Sequence, residues 1–587
     1  MFPLISIVPL LVSILLIALL KRESRLIKII ALIGSLTPLL FIPFLGSGSQ
    51  NITWFSVNGV KFLITTLLGT PNFVLFTLIS IIGPLVVLYS FGFMDVMSEN
   101  RRFYIEILAF QAAMLAFSIA GNFITLFIAW EFLSVTSYLL IGFWNYKENA
   151  NHAARKTITI ILIGDIALLA AIVIFFVTYG TLDFTALIAM AGSSAIGAPV
   201  LAALVLVLVA AFTKSAQFPF QEWLSSAMEG PTPVSAFLHS STMVKAGVFL
   251  LIILFPLFES TRLMPIIAIF GGVTALIGIS NAIVGTHIKR ILAYSTVEEL
   301  GLMMFAIGIG AYSAALYFFI AQTFYKALLF FYAGNLMKAN KTENITEMRN
   351  AGRNRILLIS GLFGVLALAG FVPFNGFFAN VGLESASTSV YTYGFMLFVD
   401  LMVSIMIARW FFMPAKKVLN KGIESRLSLS YDSLPRSMTI PVVILAALCL
   451  IGAYVAATLT GTGLPVGLGI NDAAIETGLV LLGIVAAYFL FYKRQYKEHP
   501  KLRVVNNLLG NTLLFDGFYH YVASFGYHIA SVFEYFDSEL NHIFDSFGRL
   551  VSAFGGVVRR IETGSVNAYA IATMIGLAII VVFVVFT

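Results

Sequence analysis

Runs of about 20 apolar residues follow one another along almost the whole chain. Each run is long enough to cross ~30 Å of hydrocarbon as a helix, and a helix is the local structure that pairs all of its own backbone groups there. Of the 587 residues, 59% are hydrophobic and 11% are charged, whereas a soluble domain has about 25% charged residues. The sequence therefore predicts an all-α polytopic membrane protein.

Sixteen membrane spans are predicted from these runs. They lie near residues 3–20, 26–46, 73–95, 104–120, 122–144, 155–178, 198–228, 232–255, 262–284, 289–310, 312–337, 355–386, 391–413, 437–460, 473–492 and 567–586. The loops between them alternate between two sides, which we call side A and side B, with the first loop on side A.

The basic residues separate these two sides. Of the 35 Lys and Arg residues, 29 fall on side A, two (Lys61 and Arg262) fall on side B, and four fall inside spans. Because basic loops stay in the cytoplasm, side A is expected to be cytoplasmic and both termini to face away from it, in the cell membrane. The net charge of +7 then reflects topology, and no nucleic-acid partner is expected.

Several other classes of protein are disfavoured. Cys449 is the single cysteine, so a disulfide framework or an iron–sulfur cluster is excluded. The chain has no dinucleotide fingerprint and no phosphate-binding loop, and we expect no cofactor and no metal. The N-terminal segment lacks the basic start and the small-residue cleavage site of a signal peptide, and is interpreted as the first span.

Ionisable residues lie deep inside the predicted spans. Lys214, Lys245 and Lys326 are near the middle of theirs, whereas Arg409 is close enough to side A to reach water. The acids at comparable depth are Glu131, Asp165, Glu298, Glu299 and Asp400, with Glu384 closer to side B. Each such group costs ~2.5–3.5 kcal/mol at mid-membrane, so they must face one another or a hydrated cavity.

A single buried pair is as readily a structural link between helices as a functional one, but this many pairs favours function. A lysine amine loses affinity for its proton when it is desolvated and regains it beside a carboxylate. A swing of ~3 pKa units is about 4 kcal/mol, similar to moving one charge across ~170 mV. A movable acid beside a buried lysine can therefore couple to proton movement.

Two prolines interrupt predicted spans at matching places. Pro219 lies in "AAFTKSAQFPFQEW" and Pro373 in "LALAGFVPFNGFFA". Corresponding broken helices in two halves indicate a transport site built from inverted repeats. We therefore predict one repeat over residues 104–255 and a second over residues 262–413. These repeats are preceded by three spans within residues 1–103 and followed by two spans and linkers within residues 414–510.

The C-terminal part has a different pattern. Within the predicted lateral helix of residues 511–563, apolar residues recur every three or four positions from Phe515 to Ile561, about 47 residues, with polar residues between them, as in an amphipathic helix. Such a helix is too polar to cross and would run ~70 Å at 1.5 Å per residue. It is expected either to lie on the membrane surface or to contact neighbouring subunits, before a last span within residues 564–587.

Four sequence blocks resemble a known family. "IAWEFLSVTSYLLIGFW", "TKSAQFPFQEWLSSAMEGPTPVSAFLHSSTMVKAG", "HIKRILAYSTVEELG" and "FYKALLFFYAGN" resemble the antiporter-like, proton-translocating subunits of respiratory complex I, whose superfamily includes Mrp-type antiporters and membrane-bound hydrogenases. The match is strong over residues 70 to 415. The amphipathic stretch, "VVRRIETGSVNAYA" and the last span resemble the L-type subunit, whose lateral helix contacts its neighbours.

The resemblance implies roles for seven residues. Glu131 corresponds to the glutamate that modulates Lys214, the lysine of the broken span seven. His239 and Lys245 correspond to the relay of span eight. Asp165 corresponds to the span-six acid and Lys326 to the span-eleven lysine. Glu384 lies one turn beyond the usual exit position and would serve as a substitute exit group.

Some positions depart from the family. Asn380 stands where a span-twelve lysine is usual, Gln322 replaces the usual span-eleven histidine, and Leu162 replaces a basic residue before Asp165. The expected function is that of a proton-translocating membrane subunit of a complex-I-like NADH/quinone-type oxidoreductase, without a redox centre of its own. An Mrp-type cation/proton antiporter subunit, a membrane subunit of an energy-converting hydrogenase and a scaffold with inert ion pairs remain alternatives.

Overall fold

The computed structural model describes residues 3–21, 24, 26–57, 60–94, 100–193, 196–349, 354–387, 389–415, 434–461 and 470–493, with single positions at 524, 531, 549 and 574–575. Apart from those single positions, all of these residues belong to one compact unit, Met1–Asn511. The predicted amphipathic helix over residues 511–563 and the sixteenth span lie almost wholly outside the described residues.

The described part of the chain is built mainly from α-helices. They are α1 Val8–Leu19, α2 Leu26–Phe41, α3 Thr70–Phe93, α4 Asn100–Ser118, α5 Phe123–Ile141, α6 Glu148–Tyr179, α7 Phe184–Ser193, α8 Ala198–Lys214, α9 Glu222–Ser226, α10 Thr232–Ser240, α11 Ala246–Ile253, α12 Phe255–Glu259, α13 Met264–Val284, α14 Ile288–Gly308, α15 Tyr312–Asn340, α16 Arg355–Leu368, α17 Asn375–Ser385, α18 Val390–Ala415, α19 Arg436–Thr460 and α20 Ile470–Ala487. Short 3₁₀ helices cover Pro3–Ile7, Ile42–Phe44, Ala227–Glu229 and Met243–Lys245, and a π-helical segment covers Tyr488–Lys493.

Within the described residues, eleven helical segments are long and apolar enough to cross a membrane, and three shorter apolar helices accompany them. This confirms a polytopic helical membrane protein. The predicted fourth span falls on α4, which is not among these fourteen because Arg101, Arg102 and Glu106 lie near its start. The total of sixteen spans stays a prediction.

Two predicted loops on side B contain regular structure that the sequence analysis missed. β1 (Gly48–Val57) and β2 (Val60–Leu68) form an antiparallel hairpin within the predicted loop of residues 47–72. The expectation of a purely helical chain is therefore wrong at this loop. Leu67 N bonds Ile119 O at 2.8 Å and Gly121 N bonds Thr65 O at 2.8 Å, so the hairpin pairs with the turn between α4 and α5. The other loop, residues 179–197, contains α7.

Three predicted spans are interrupted helices. Span seven stops at Lys214, the last residue of α8, and becomes helical again only at Glu222. Span twelve stops at Leu368 and resumes at Asn375. These two breaks contain the predicted prolines, each of which follows a cis peptide bond. The third break, between α10 and α11 in span eight, contains no proline and was not predicted.

The centre of the unit is a group of helices that are almost wholly buried within the protein. The whole 18-residue apolar window of α15 is buried in the protein, as are 94% of the corresponding window over α10 and α11 and 89% of that of α14. By contrast, α6 exposes Ile166, Val173 and Val177, the apolar surface expected beside lipid tails. Lys326 on α15 is therefore enclosed by protein, with no exposed surface of its own.

The loop after α15 closes on the start of α14 at the end predicted to be side A. Ile288 N donates to Glu343 O at 2.8 Å, and His287 Nε2 lies 2.7 Å from Glu343 Oε2. Hydrogen bonding to His287 lowers the pKa of the Glu343 carboxyl to about 2. This contact joins the ends of the two helices that carry Glu299 and Lys326.

Glycines bring α13 and α14 into close contact. A Cβ on Gly271 would lie 2.6 Å from Gly301 O and 2.5 Å from Phe305 N, and a Cβ on Gly278 would lie 2.5 Å from Glu298 N. No side chain fits between these backbones. The close approach fixes α14 against α13 and leaves the Glu298 and Glu299 side chains buried.

Gly271→Val is expected to lower the stability of the protein by about 1–3 kcal/mol through overpacking against α14. The measurement is the thermal unfolding midpoint of the purified protein in detergent. Gly272→Val is the matched control, because a Cβ there would meet only Phe305 and Phe395 side-chain atoms at 3.7 Å. Equal midpoints for the two variants would show that the α13–α14 contact is looser than described.

Candidate functional site

Lys214 is buried where helix α8 ends. Its side chain is 0% exposed, and its Nζ donates to Ser134 Oγ at 2.5 Å and to Trp130 O at 3.3 Å. The same Nζ lies 4.6 Å from the centre of the Trp130 ring. The amine is therefore enclosed by one turn of α5, with a carbonyl, a hydroxyl and an aromatic ring around it.

Asp165 of α6 is the direct counter-ion of this amine. Lys214 Nζ lies 3.3 Å from Asp165 Oδ1. Trp130 Nε1 donates to Oδ1 at 2.6 Å and Ser134 Oγ donates to Oδ2 at 2.9 Å. Because Ser134 accepts from the lysine and donates to the aspartate, it forms a one-hydroxyl bridge between the two charges.

A glycine on α6, Gly164, allows this contact. A Cβ on Gly164 would lie 3.0 Å from Thr213 Cβ and 3.2 Å from Ala210 Cα. Gly164 therefore lets α6 approach the last turn of α8, which brings the adjacent Asp165 and Lys214 together.

Glu131, the residue that the family resemblance pairs with Lys214, is placed differently. It follows Trp130 on α5 and is only half-buried. Its Oε1 is buried without a hydrogen-bond partner among the described residues, and it makes no ion pair with Lys214 there. Glu131 and Lys214 interact electrostatically, but the contact position is held by Asp165.

His239 and Lys245 lie on either side of the break in span eight. Lys245 Nζ donates to Phe319 O and to Thr323 Oγ1, both at 2.6 Å, and lies 4.5 Å from the centre of the Phe319 ring. The His239 ring packs on Phe330 with centroids 4.9 Å apart. Both of its nitrogens are buried without a hydrogen-bond partner in the described part of the chain.

Lys326 repeats the arrangement seen at Lys214. Its side chain is 0% exposed, and its Nζ lies 3.0 Å from Glu299 Oε2. Ser295 Oγ accepts from the same amine at 2.5 Å, and Gln322 Nε2 donates to Glu299 Oε2 at 3.0 Å. Each of these two lysines is therefore held by one carboxylate and one serine hydroxyl, which come from α6 and α5 at Lys214 and both from α14 at Lys326.

These groups follow one another through shared helices. Ser215, next to Lys214, accepts a hydrogen bond from Val248 N at 3.1 Å, three residues beyond Lys245. Thr323, which holds Lys245, precedes Lys326 by three positions on α15, so both lie on one face of that helix. The lysine sites are thus connected by direct packing through the buried centre of the unit.

A group of carboxyl side chains lies beyond Lys326. Glu384 and Asp400 are hydrogen-bonded to each other, and Asn380 Nδ2 donates to Asp400 Oδ1 at 3.1 Å. Glu298 of α14 and Glu476 of α20 both interact electrostatically with Asp400. The carboxyl groups Glu384, Asp400 and Glu476 at this end have no lysine among them, whereas Asp165 and Glu299 are each paired with a lysine.

Comparison with known proteins identifies the family. The family model described as "NADH:quinone oxidoreductase/Mrp antiporter, TM" matches residues 120–407. The NADH-quinone oxidoreductase subunit L of Campylobacter jejuni is 32% identical over 458 residues, which are 76% of this chain and 75% of that protein. The chain belongs to this family of antiporter-like subunits. The resemblance stated from the sequence blocks is thereby confirmed.

Other antiporter-like proteins are similar over more of the chain. The F420H2 dehydrogenase subunit L of Methanosarcina mazei is 29% identical over 91% of this chain and 89% of its own. A chain in the structure of the Mrp complex from Dietzia sp. DQ12-45-1b has a TM-score of 0.72 and 22% identity, covering 99% of this chain and 63% of its own. That likeness shows a shared fold.

The region matched to the antiporter family contains all seven predicted site residues. The structure brings Asp165 to Lys214, and it brings Lys245 close to the helix face of Lys326. It leaves Glu131 without direct contact to Lys214. At the two departures from the family, Gln322 holds the counter-ion of Lys326 and Asn380 holds Asp400, so both amides orient carboxylates.

Several partners were missed by the sequence analysis. Ser134, Ser295 and Thr323 hold the amines, but a hydroxyl in an apolar helix usually bonds its own backbone and carries no recognisable signal. Glu299 and Asp400 were recognised as buried acids without being assigned a role. Glu476 was missed because it lies near a span end and outside the matched residues 120–407.

Asp165→Asn is expected to destabilise the protein by ~3–5 kcal/mol, because it leaves the Lys214 ammonium without its counter-ion. The double variant Asp165→Asn with Lys214→Met removes both charges, so it is expected to regain most of that stability. Thermal unfolding of the detergent-purified protein measures both. A double variant no more stable than Asp165→Asn alone would contradict the direct pairing of these residues.

Proposed function

We propose that this chain is the proton-translocating membrane subunit of a complex-I-like NADH/quinone-type oxidoreductase and holds no redox centre itself. The observation that carries the proposal is the series of buried ionisable groups Asp165–Lys214, Lys245 and Lys326–Glu299, which leads to Glu384 and Asp400. Ion pairs that serve only to join helices need not be connected to one another. Here each lysine site packs on the next.

The proposed switch involves Lys214, Asp165 and Glu131. Lys214 holds its proton while Asp165 faces it across the Ser134 bridge. When a neighbouring subunit shifts α5 or α6, the amine loses its counter-ion and the desolvation cost favours release of the proton. Glu131 is half-buried on the same turn as Trp130. It provides a second carboxylate that interacts with the Lys214 amine when the contact with Asp165 is lost.

The proposed relay then passes through His239, Lys245 and Lys326, with Glu384 in the exit group. Each step moves one proton between an amine, an imidazole or a carboxyl group and breaks no other bond. The neutral oxygens around Lys245 allow its amine to exist with or without the proton, because no carboxylate of the described residues contacts it directly. Protons are proposed to pass from side A, the cytoplasm, to side B.

The wider architecture is part of the proposal. It comprises sixteen spans in a cell membrane, with inverted repeats over residues 104–255 and 262–413, and a lateral helix over residues 511–563 that contacts other membrane subunits. The matched breaks of spans seven and twelve support the repeats. The partners would be the other membrane subunits of a respiratory assembly, as the names of the two relatives suggest.

The second candidate function is that of an Mrp-type cation/proton antiporter subunit, which the shared fold with the Dietzia complex supports. An antiporter needs no electron donor. Sodium-dependent proton movement in membrane vesicles without any electron donor would favour it over the oxidoreductase role, and transport that requires electron flow would exclude it.

Lys214→Ala is expected to abolish proton transport through this subunit while the complex still assembles, because alanine carries no exchangeable proton and leaves Asp165 its two neutral donors. Protons moved per electron, measured in vesicles that contain the native complex, provide the test. Lys21→Ala, which changes an exposed lysine, is the control. An unchanged proton yield in Lys214→Ala would refute the role assigned to this amine.

A further inference from the structure

Four side chains from three spans meet near Gly370, at the break of span twelve. Asn380 and Glu384 come from α17, Asp400 from α18 and Glu476 from α20. The three acids are buried, with exposed fractions of 3%, 7% and 0% for Glu384, Asp400 and Glu476. None of the four is a lysine or an arginine. Any negative charge on the three acids must therefore be neutralised by something other than a basic side chain of this group.

A hydrogen bond between two carboxyl groups requires a proton. Glu384 and Asp400 form such a bond, and two carboxylates without a shared proton would repel each other. Asn380 already donates to Asp400 Oδ1, which fixes this carboxyl but adds no charge. Such a pair is stable inside the membrane when the two carboxyl groups share one proton.

Glu476 adds a third carboxyl from outside the predicted repeats. Asn380 is the one side chain among the described residues that hydrogen-bonds it, and Asp400 and Glu384 are close enough to interact with it electrostatically. A Cβ on Gly370 would lie 3.3 Å from Glu476 Oε1 and 2.5 Å from Asn380 Nδ2. The glycine, whose φ is +74°, thus leaves room for the Glu476 carboxyl beside the amide.

One amide donor, already shared with Asp400, cannot satisfy both oxygens of a buried Glu476 carboxylate. An unpaired polar group costs ~1–3 kcal/mol, and a charged one costs more. A proton on Glu476 removes most of that cost, and it can be exchanged with Asp400 or Glu384. By contrast, inert acids in a packed interior would be expected to have all their oxygens satisfied by fixed donors.

We propose that Glu384, Asp400 and Glu476 form a carboxyl station that holds protons in place of the basic residue absent at Asn380, and that Glu476 is its release arm. The proposal rests on the proposed proton-translocating function. Glu476 first releases its own proton towards side B; a proton reaching the Asp400 carboxylate from the side of Glu298 then frees the proton shared with Glu384, which passes to the Glu476 carboxylate. Only O–H bonds form and break, and the proton count is conserved.

Glu476→Gln in the intact complex tests the station, with Glu259→Gln, an exposed carboxyl on α12, as the matched control. The expected result is a proton transport rate lowered by about tenfold or more, with electron transfer intact. The infrared difference spectrum between high and low pH is expected to lose a carbonyl band of a protonated carboxyl that shifts in D2O. Glu476→Asp, which keeps the carboxyl group, is expected to restore part of the rate and to move the band.

The outcomes separate the station from the general function. Wild-type transport and an unchanged carboxyl band in Glu476→Gln would overturn the station, even if Lys214→Ala abolishes transport. A band that follows sodium concentration and not pH would also overturn it, as a sodium site. If Glu476→Gln fails to assemble, the Glu476→Asp spectrum decides, and a band identical to that of the wild type would overturn the proposal.

Discussion

The burial of lysine amines against single carboxylates is the interaction on which the rest of the structure depends. Two sites stabilise a buried amine with the same kinds of group. Lys214 contacts Asp165 and Ser134, and Lys326 contacts Glu299 and Ser295. A charge in the membrane interior is tolerable when it is paired and hydrogen-bonded. In both sites the partner comes from another helix, so the pairing depends on how the helices are arranged.

This arrangement makes the charge balance sensitive to small helix movements. Ion pairs buried in a low dielectric gain much of their energy from short distance, so a shift of one helix changes the cost of keeping a proton on the amine. The broken helices provide the freedom for such a shift, because α8 ends at Lys214 itself. Lys245 is the contrasting case, because the partners of its amine within the described part of the chain are the neutral Phe319 carbonyl and Thr323 hydroxyl.

The sequence predicted the helical membrane fold well, because apolar length and the distribution of basic residues depend only on local composition. Lys214, Lys245 and Lys326 were also found from local composition, because charged residues are rare in the middle of apolar spans. Their partners were not predicted, since whether Asp165 or Glu131 contacts Lys214 depends on which face of α5 meets α6 and α8. Gly164 decides that contact, and a glycine in a helix gives no pattern of its own. The β1–β2 hairpin was missed because its strands alternate weakly and contain several polar residues.

The central claim is that Lys214 changes its protonation during transport. The most direct test is the ¹⁵N chemical shift of the Lys214 side-chain amine, assigned by comparison with Lys214→Ala, in the membrane-embedded complex at rest and during electron flow. The account predicts that the signal changes between the charged and the neutral amine when electrons flow. A signal that remains that of a charged amine under both conditions would contradict it.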